Sequence, residues 1–208
     1  MKITRPLNNI LNSEAKIKVI RFLCTTGAEW NGRQIAKETG IAPATAHKAL
    51  NSLNKEGVLL LRNVGKTHIY CLNESNFIVA EILKPVFEKE RKILVNIINV
   101  IRREVSSSNI RRDINSVALF GSVNVQKDHA MSDIDVVVIV KDAKVRSKAE
   151  KLFEKIDRKI SKRFGNTLSP YVNTRAEFKS KHAKKMAVIR NILKEHTVIY
   201  GEKLEAVT

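Results

Sequence analysis

The sequence has only two cysteines in 208 residues, Cys24 and Cys71. That is too few for a disulfide scaffold, and their separation is not that of a metal site. Both stand in apolar patterns and read as buried, reduced thiols of a cytosolic protein. No apolar run approaches the roughly 20 residues that cross a bilayer. The opening MKITRPLNNI has no signal-peptide core. No partnership with a membrane is expected. There is no internal repeat and no low-complexity tract. With 43% hydrophobic residues, the chain has enough apolar mass for a core and is not wholly disordered. Acid is scarce instead. Asp and Glu number 21 against 38 Lys and Arg, for a net charge of +17. The excess amounts to +6 over residues 1–76, +3 over 77–115 and +8 over 116–208. Each half therefore suits a polyanionic partner such as nucleic acid or nucleotide.

Hydrophobic spacing divides the chain. Ser13–Thr25 reads as a helix, with Ile17, Ile20 and Cys24 on one stripe, ended by Gly27. Gly32–Thr39 reads as a second helix, stopped by Gly40. A third begins at Pro43, where a missing N–H costs nothing, and buries Ala46, Ala49, Leu50 and Leu53. Val58–Leu61 and His68–Leu72 are β-prone, with Arg62 to Lys66 as a basic hairpin tip. Residues 77–105 form a long helical stretch, kinked or split at Pro85. Its apolar positions are Val79, Leu83, Val86, Leu94, Ile97 and Ile101. Ser106-Ser107-Ser108-Asn109 breaks the pattern. Strands and helices then alternate. Ser116–Phe120 is a short strand, and IDVVVIV over 134–140 is a strand covered on both faces. Lys148–Phe164 is an amphipathic helix, Leu168–Val172 a weaker strand, and Thr174 with Glu177 a capping box opening another helix. Val188–Leu193 is helical and Thr197–Tyr200 a last strand. The expected fold is α+β, a small mixed sheet with flanking helices behind an all-helical start with a hairpin. The expected divisions are 1–76, a connecting helix over 77–109, and 110–208.

Three short helices and a basic hairpin make a helix-turn-helix with a wing. The third helix presents Thr45, His47, Lys48 and Asn51 opposite its buried stripe. Lys48 suits phosphate or guanine, and Asn51 an adenine edge. Arg62 and Lys66 on the hairpin would meet phosphate or the minor groove. The plain alternative is a solvated face of a protein–protein module. The segment NGRQIAKETGIAPATAHKALNSLNKEGVLL, with the hairpin and IYCLN after it, resembles the winged-helix domains of prokaryotic ArsR/MarR-type transcription regulators over about residues 10–75. The resemblance implies binding to double-stranded DNA, commonly as a homodimer, to which the 77–105 helix would contribute. It implies no metal sensing, because the Cys/His ligands are missing.

In the second half, Phe120-Gly121-Ser122 ends one strand, and Asp133-Ile134-Asp135 opens the next after the ten residues Val123 to Ser132. Carboxylates at i and i+2 on a strand share a face and suit a divalent cation. A Gly-Ser at a strand end lets N–H groups and a hydroxyl approach phosphate oxygens. A surface turn before a capped strand is the plain alternative. The stretch SVALFGSVNVQKDHAMSDIDVVVIV resembles the nucleotidyltransferase superfamily that includes DNA polymerase beta, and within it the minimal nucleotidyltransferases of archaea and bacteria, over about residues 110–201. The resemblance implies that Gly121 and Ser122 hold a nucleoside triphosphate, ATP foremost. Asp133 and Asp135 would be the catalytic carboxylates and would coordinate Mg²⁺.

Active members of that superfamily usually carry a third carboxylate on the next core strand. Here that strand reads Leu168-Ser169-Pro170-Tyr171-Val172-Asn173, without Asp or Glu. Asp128 and Glu177 lie nearby in sequence, off the strand. A basic cluster, Lys179, Lys181, Lys184, Lys185 and Arg190, suits triphosphate or a solvated helix face. Three functions follow. The first is a prokaryotic transcription regulator that binds NTP and Mg²⁺ without catalysis. The second is an active nucleotidyltransferase modifying a protein, RNA or small molecule. The third is an antitoxin, because minimal nucleotidyltransferases pair with HEPN toxins.

Overall fold

The structure, a computed structural model, describes residues 3–125 and 132–208. It forms two compact units, 1–92 and 93–208.

In the first unit, α1 (Leu7–Ile10) and α2 (Glu14–Thr26) precede a short strand β1 (Trp30–Asn31), α3 (Gly32–Thr39) and α4 (Pro43–Lys55). A hairpin of β2 (Leu59–Val64) and β3 (Thr67–Leu72) follows. Ser13 caps α2 through the Lys16 N–H. Asn31 and Gln34 close a capping box on α3. These side chains satisfy N–H groups that a helix start leaves orphaned. Gly27 and Gly40 end α2 and α3 in the left-handed region, which a residue without Cβ adopts most readily. Ala49, Leu50 and Leu53 of α4 pack with Val19, Ile20 and Leu23 of α2 and with Val58, Leu59 and Tyr70. The sheet runs β1-β3-β2, antiparallel throughout. β1 carries no period of its own in the sequence. It exists because Trp30 and Asn31 pair with Tyr70 and Ile69.

Over 77–109, expected as a connecting helix, the structure has three helical segments. A wide, π-helical turn at Ile78–Leu83 leads into α5 (Lys84–Arg91), and the chain turns at Lys92 before α6 (Ile93–Ser106). Pro85 does not split the helix. It lies in the first turn of α5, where the Lys84 N–H reaches back to Val79 O, so the missing proline N–H falls in a stretch already wound more widely. The break is set by burial. Val79, Leu83 and Phe87 sit in the core of the first unit. Ile97, Val100, Ile101 and Val105 sit in a core of the second. The cysteines are half-buried rather than buried, and both are free. Burial pushes the Cys24 thiol up to about 11.

The second unit is a four-stranded mixed sheet in the order β6-β5-β4-β7, with β4 (Ile114–Leu119), β5 (Ile134–Val140), β6 (Leu168–Thr174) and β7 (Thr197–Gly201). β5 is antiparallel to β4 and parallel to β6, and β7 is antiparallel to β4. Both faces are covered, as the unbroken IDVVVIV requires. Val136, Val138 and Val140 face α6 and α8 (Ala143–Phe164), whose Ala149, Phe153, Ile156 and Ile160 fill that layer. Val137, Ile139 and Ala118 face Phe178 of α9 (Arg175–Ala183) and Ile189 and Ile192 of α10 (Ala187–Lys194). The α+β class and the small mixed sheet with flanking helices are as expected. Among the described residues, no helix is long and apolar enough to cross a membrane.

Candidate functional site

On β5 the period of two puts Asp135 on the face of Val137 and Ile139, toward α9 and α10. Asp133 lies just before the strand and is exposed, while Asp135 is half-buried. Burial, and then the neighbouring Asp133 charge, raise the Asp135 carboxyl above its ordinary value. A raised carboxyl of this kind is relieved by a cation. The end of β4 is pinned alongside, since the Phe120 N–H donates to Asp135 O at 3.0 Å. Gly121 then opens the four-residue turn α7 (Gly121–Asn124) with φ of 76°. A Cβ built on Gly121 would lie 2.2 Å from Asp135 Oδ2. The structure thus brings Gly121 against Asp135, with Ser122 next in the turn. A cleft of about 510 Å³ opens beside them, lined by Phe120, Gly121, Val125, Val188, Asn191 and Lys194, among others.

The residues opposite Asp135, Val137 and Ile139 on β6 are Ser169, Tyr171 and Asn173. None is acidic. In their place stands a cation. Lys181 Nζ donates to Tyr171 Oη at 2.8 Å and to Asn173 Oδ1 at 2.5 Å, 4.8 Å from the Tyr171 ring centroid. Lys181 is the member of the basic cluster that the fold draws in, and Lys179, Lys184, Lys185 and Arg190 are exposed. Glu177 is committed elsewhere. It closes the α9 capping box with Thr174 and accepts two hydrogen bonds from Arg146 at 3.0 and 2.6 Å. The Thr174 N–H, followed by the Arg146 charge, holds its carboxyl below the ordinary value. It also follows β6 at the far end, where Thr174 pairs with Val140, five residues or about 16 Å along the strands from Asp135. Asp128 lies outside the described residues. Among the described residues, no group of three or more His, Cys, Asp or Glu is placed to hold a metal ion.

In the first unit, Thr45, His47 and Lys48 are exposed on α4 and Asn51 is half-buried, within 3.4 Å of the His47 ring. Ala42 gives α4 no side-chain cap. The hairpin tip is Gly65-Lys66 alone, with Gly65 at φ 57°. Arg62 is not at the tip. It sits inside β2 opposite Ile69 and is ion-paired to Glu29. Sequence reasoning missed Arg33 of α3 and His68 and Tyr70 of β3, which line a cleft with His47 and Lys66. No local pattern marks them, because three separate elements bring them together.

The family described as Polymerase beta, Nucleotidyltransferase matches residues 96–205, just over half of the chain. No curated protein matches. Among solved structures, the chain is similar to the homodimeric winged helix-turn-helix DNA-binding domain of Mb0332 from Mycobacterium bovis, a possible ArsR-family transcriptional regulator. The identity is 21% and the TM-score 0.35, over 42% of this chain and 77% of that one. The transcriptional repressor BigR from Xylella fastidiosa is 19% identical, with a TM-score of 0.35, over 40% and 81%. A toxin-antitoxin with AMP-PNP is 14% identical, with a TM-score of 0.32, over 52% and 76%.

Proposed function

The chain belongs to the polymerase beta nucleotidyltransferase family, and from that premise we propose that its second unit binds a nucleoside triphosphate, ATP foremost, with Mg²⁺ held by Asp133 and Asp135, in a transcription regulator whose first unit binds duplex DNA. The observation that carries the nucleotide reading is the contact of Gly121 with Asp135. Asp135 Oδ2 stands where a Cβ would be, so only glycine lets the turn that carries Ser122 pack this close to the carboxylate. The donor set is hard oxygen, the kind Mg²⁺ takes while keeping waters and phosphate oxygens as further ligands. Bound there, Mg²⁺ would neutralise the triphosphate. Ser122 and the neighbouring N–H groups would orient it.

Calorimetry with ATP, with Mg²⁺ and with chelator, tests this. We expect Asp133→Ala and Asp135→Ala each to remove the metal-dependent part of the affinity and to leave DNA binding unchanged. Equal affinity in chelator and in Mg²⁺ for the wild-type chain would leave the motif without a ligand role.

The first unit supports the DNA reading by its own geometry. The exposed face of α4 presents Thr45, His47, Lys48 and Asn51, and its uncapped start offers N–H groups to backbone phosphate. Changing Lys48 and Asn51 to Ala should lower discrimination among sequences by about 1–3 kcal/mol per lost base contact. Lys66→Ala should weaken all duplexes alike and reduce the salt slope by about one unit. Gel shifts at two salt concentrations separate the two effects. Arg62, held by Glu29, is assigned a smaller share of phosphate contact than Lys66. Phe77 is 70% exposed and Val86, Ile93 and Val95 are about half exposed, and these are the apolar residues of 77–105 that a homodimer contact would use.

A second reading, transfer of a nucleotidyl group, is favoured by the family and by the paired Asp133 and Asp135. β6 argues against it. Where an acceptor hydroxyl would need a base, the strand offers Ser169, Tyr171 and Asn173, and Lys181 makes that region cationic. Labelled ATP with candidate acceptors, a co-expressed HEPN toxin included, decides between binding and transfer.

A further inference from the structure

The cleft of about 390 Å³ between α3, α4 and the hairpin has no role in the nucleotide site. Its walls combine Arg33 of α3, His47 of α4, Lys66 at the hairpin tip and His68 and Tyr70 of β3. All of its charge-bearing groups are of the cationic type, and no acidic side chain is among the described residues that line it. Tyr70 is different from the rest. It is 1% exposed, and among the described residues its hydroxyl has no hydrogen-bond partner. A buried hydroxyl without a partner forfeits its hydration for nothing, unless a ligand supplies the missing acceptor. Gly32 lines the cleft beside the Tyr70 ring, where a Cβ would lie 3.4 Å from Leu50 Cδ1 and 3.7 Å from Tyr70 Cε2, at ordinary contact distance.

We propose that this cleft takes one phosphate ester group. Arg33 and Lys66 would neutralise it, the Tyr70 hydroxyl would donate to it from the floor, and Leu50 and Pro43 would lie against its organic part. Arginine suits the planar, two-point recognition of phosphate oxygens and lysine adds a point charge. The ester could be a phosphodiester of the duplex or a free small phosphate monoester. The first source rests on the DNA reading above, and the second does not. A free ester in this place would share His47 and Lys66 with the DNA face and would compete with duplex.

The experiment titrates the full chain, in chelator, with phenyl phosphate and separately with a short duplex, for wild type, Arg33→Ala and Tyr70→Phe. Tyr70→Phe removes only the unpartnered oxygen, so its melting temperature should not fall, and it serves as the variant whose fold is secure. If the free ester is the ligand, phenyl phosphate binds and each substitution weakens it about tenfold, the value of one charge-assisted hydrogen bond. If the source is DNA, Tyr70→Phe weakens the duplex by a similar factor and phenyl phosphate does not bind. Binding of phenyl phosphate with no duplex binding at all would retain the site and overturn the DNA reading. If neither probe binds, or if Tyr70→Phe leaves both affinities unchanged in a chain that melts normally, the proposal is overturned.

Discussion

Gly121→Ala should reduce the Mg²⁺-dependent affinity for ATP on the order of 10–100-fold, the range seen when a group that orients a metal ligand is lost. Two causes act together. The backbone at Gly121 has φ of 76°, where a Cβ costs roughly 1–2 kcal/mol. The same Cβ would sit 2.2 Å from Asp135 Oδ2 and 3.2 Å from Asp135 Cβ. Rotating the carboxylate away relieves the first contact and gives up its aim, while the second remains because Cβ does not move with the rotation. Asp135 has little reason to return. It is half-buried beside Asp133, and its charged form is already disfavoured. Calorimetry in Mg²⁺ and in chelator measures the loss. Duplex binding is the internal control, because Thr45, His47, Lys48, Asn51 and Lys66 belong to the other unit. Unchanged Mg²⁺-dependent affinity in a folded Gly121→Ala chain would show that the carboxylate of Asp135 takes no part in holding the nucleotide.

The reach of sequence reasoning follows the range of the interactions involved. Signals made within one turn of chain were legible. Pro43 opens α4, Gly40 ends α3, and the Thr174–Glu177 box starts α9. The continuous apolar run of β5 announced a sheet covered on both sides, and the motif from Gly121-Ser122 to Asp133 and Asp135 announced that Gly121 would meet Asp135. Features set by distant partners were not legible. The break at Lys92 rather than Pro85 depends on which core receives Phe87 and which receives Ile97. The place of Arg62 depends on hairpin register and on Glu29. That Glu177 also serves Arg146, and that Lys181 reaches Tyr171 and Asn173, depends on the packing of α8 and α9 around β6. The cleft at Tyr70 needs three elements at once. In each case the residue type was visible and its assignment required tertiary structure.

Gly201→Ala should be among the most destabilising single substitutions in the second unit, at about 2–5 kcal/mol, from the left-handed backbone and the overpacking together. Gly201 ends β7 at φ 80° and pairs with Ser116 of β4. A Cβ there would lie 2.1 Å from Asn115 O and 2.8 Å from Asn115 C. These are backbone atoms and cannot swing aside as a side chain can. Asn115 O also accepts the Glu202 N–H at 2.8 Å, and Ser116 Oγ donates to Glu202 O at 2.7 Å. Moving Asn115 would therefore loosen the end of the β4–β7 ladder, at the Ser116–Gly201 pair next to the buried Val117. Gly165→Ala supplies the comparison. Gly165 ends α8 at the same φ of 80°, yet a Cβ there meets nothing within 4 Å. It should cost only the roughly 1–2 kcal/mol of the left-handed region. The difference between the two variants in denaturant or thermal unfolding isolates the steric part. Equal stabilities would mean that the strands shift freely at this edge and that the close approach of Gly201 to Asn115 constrains nothing.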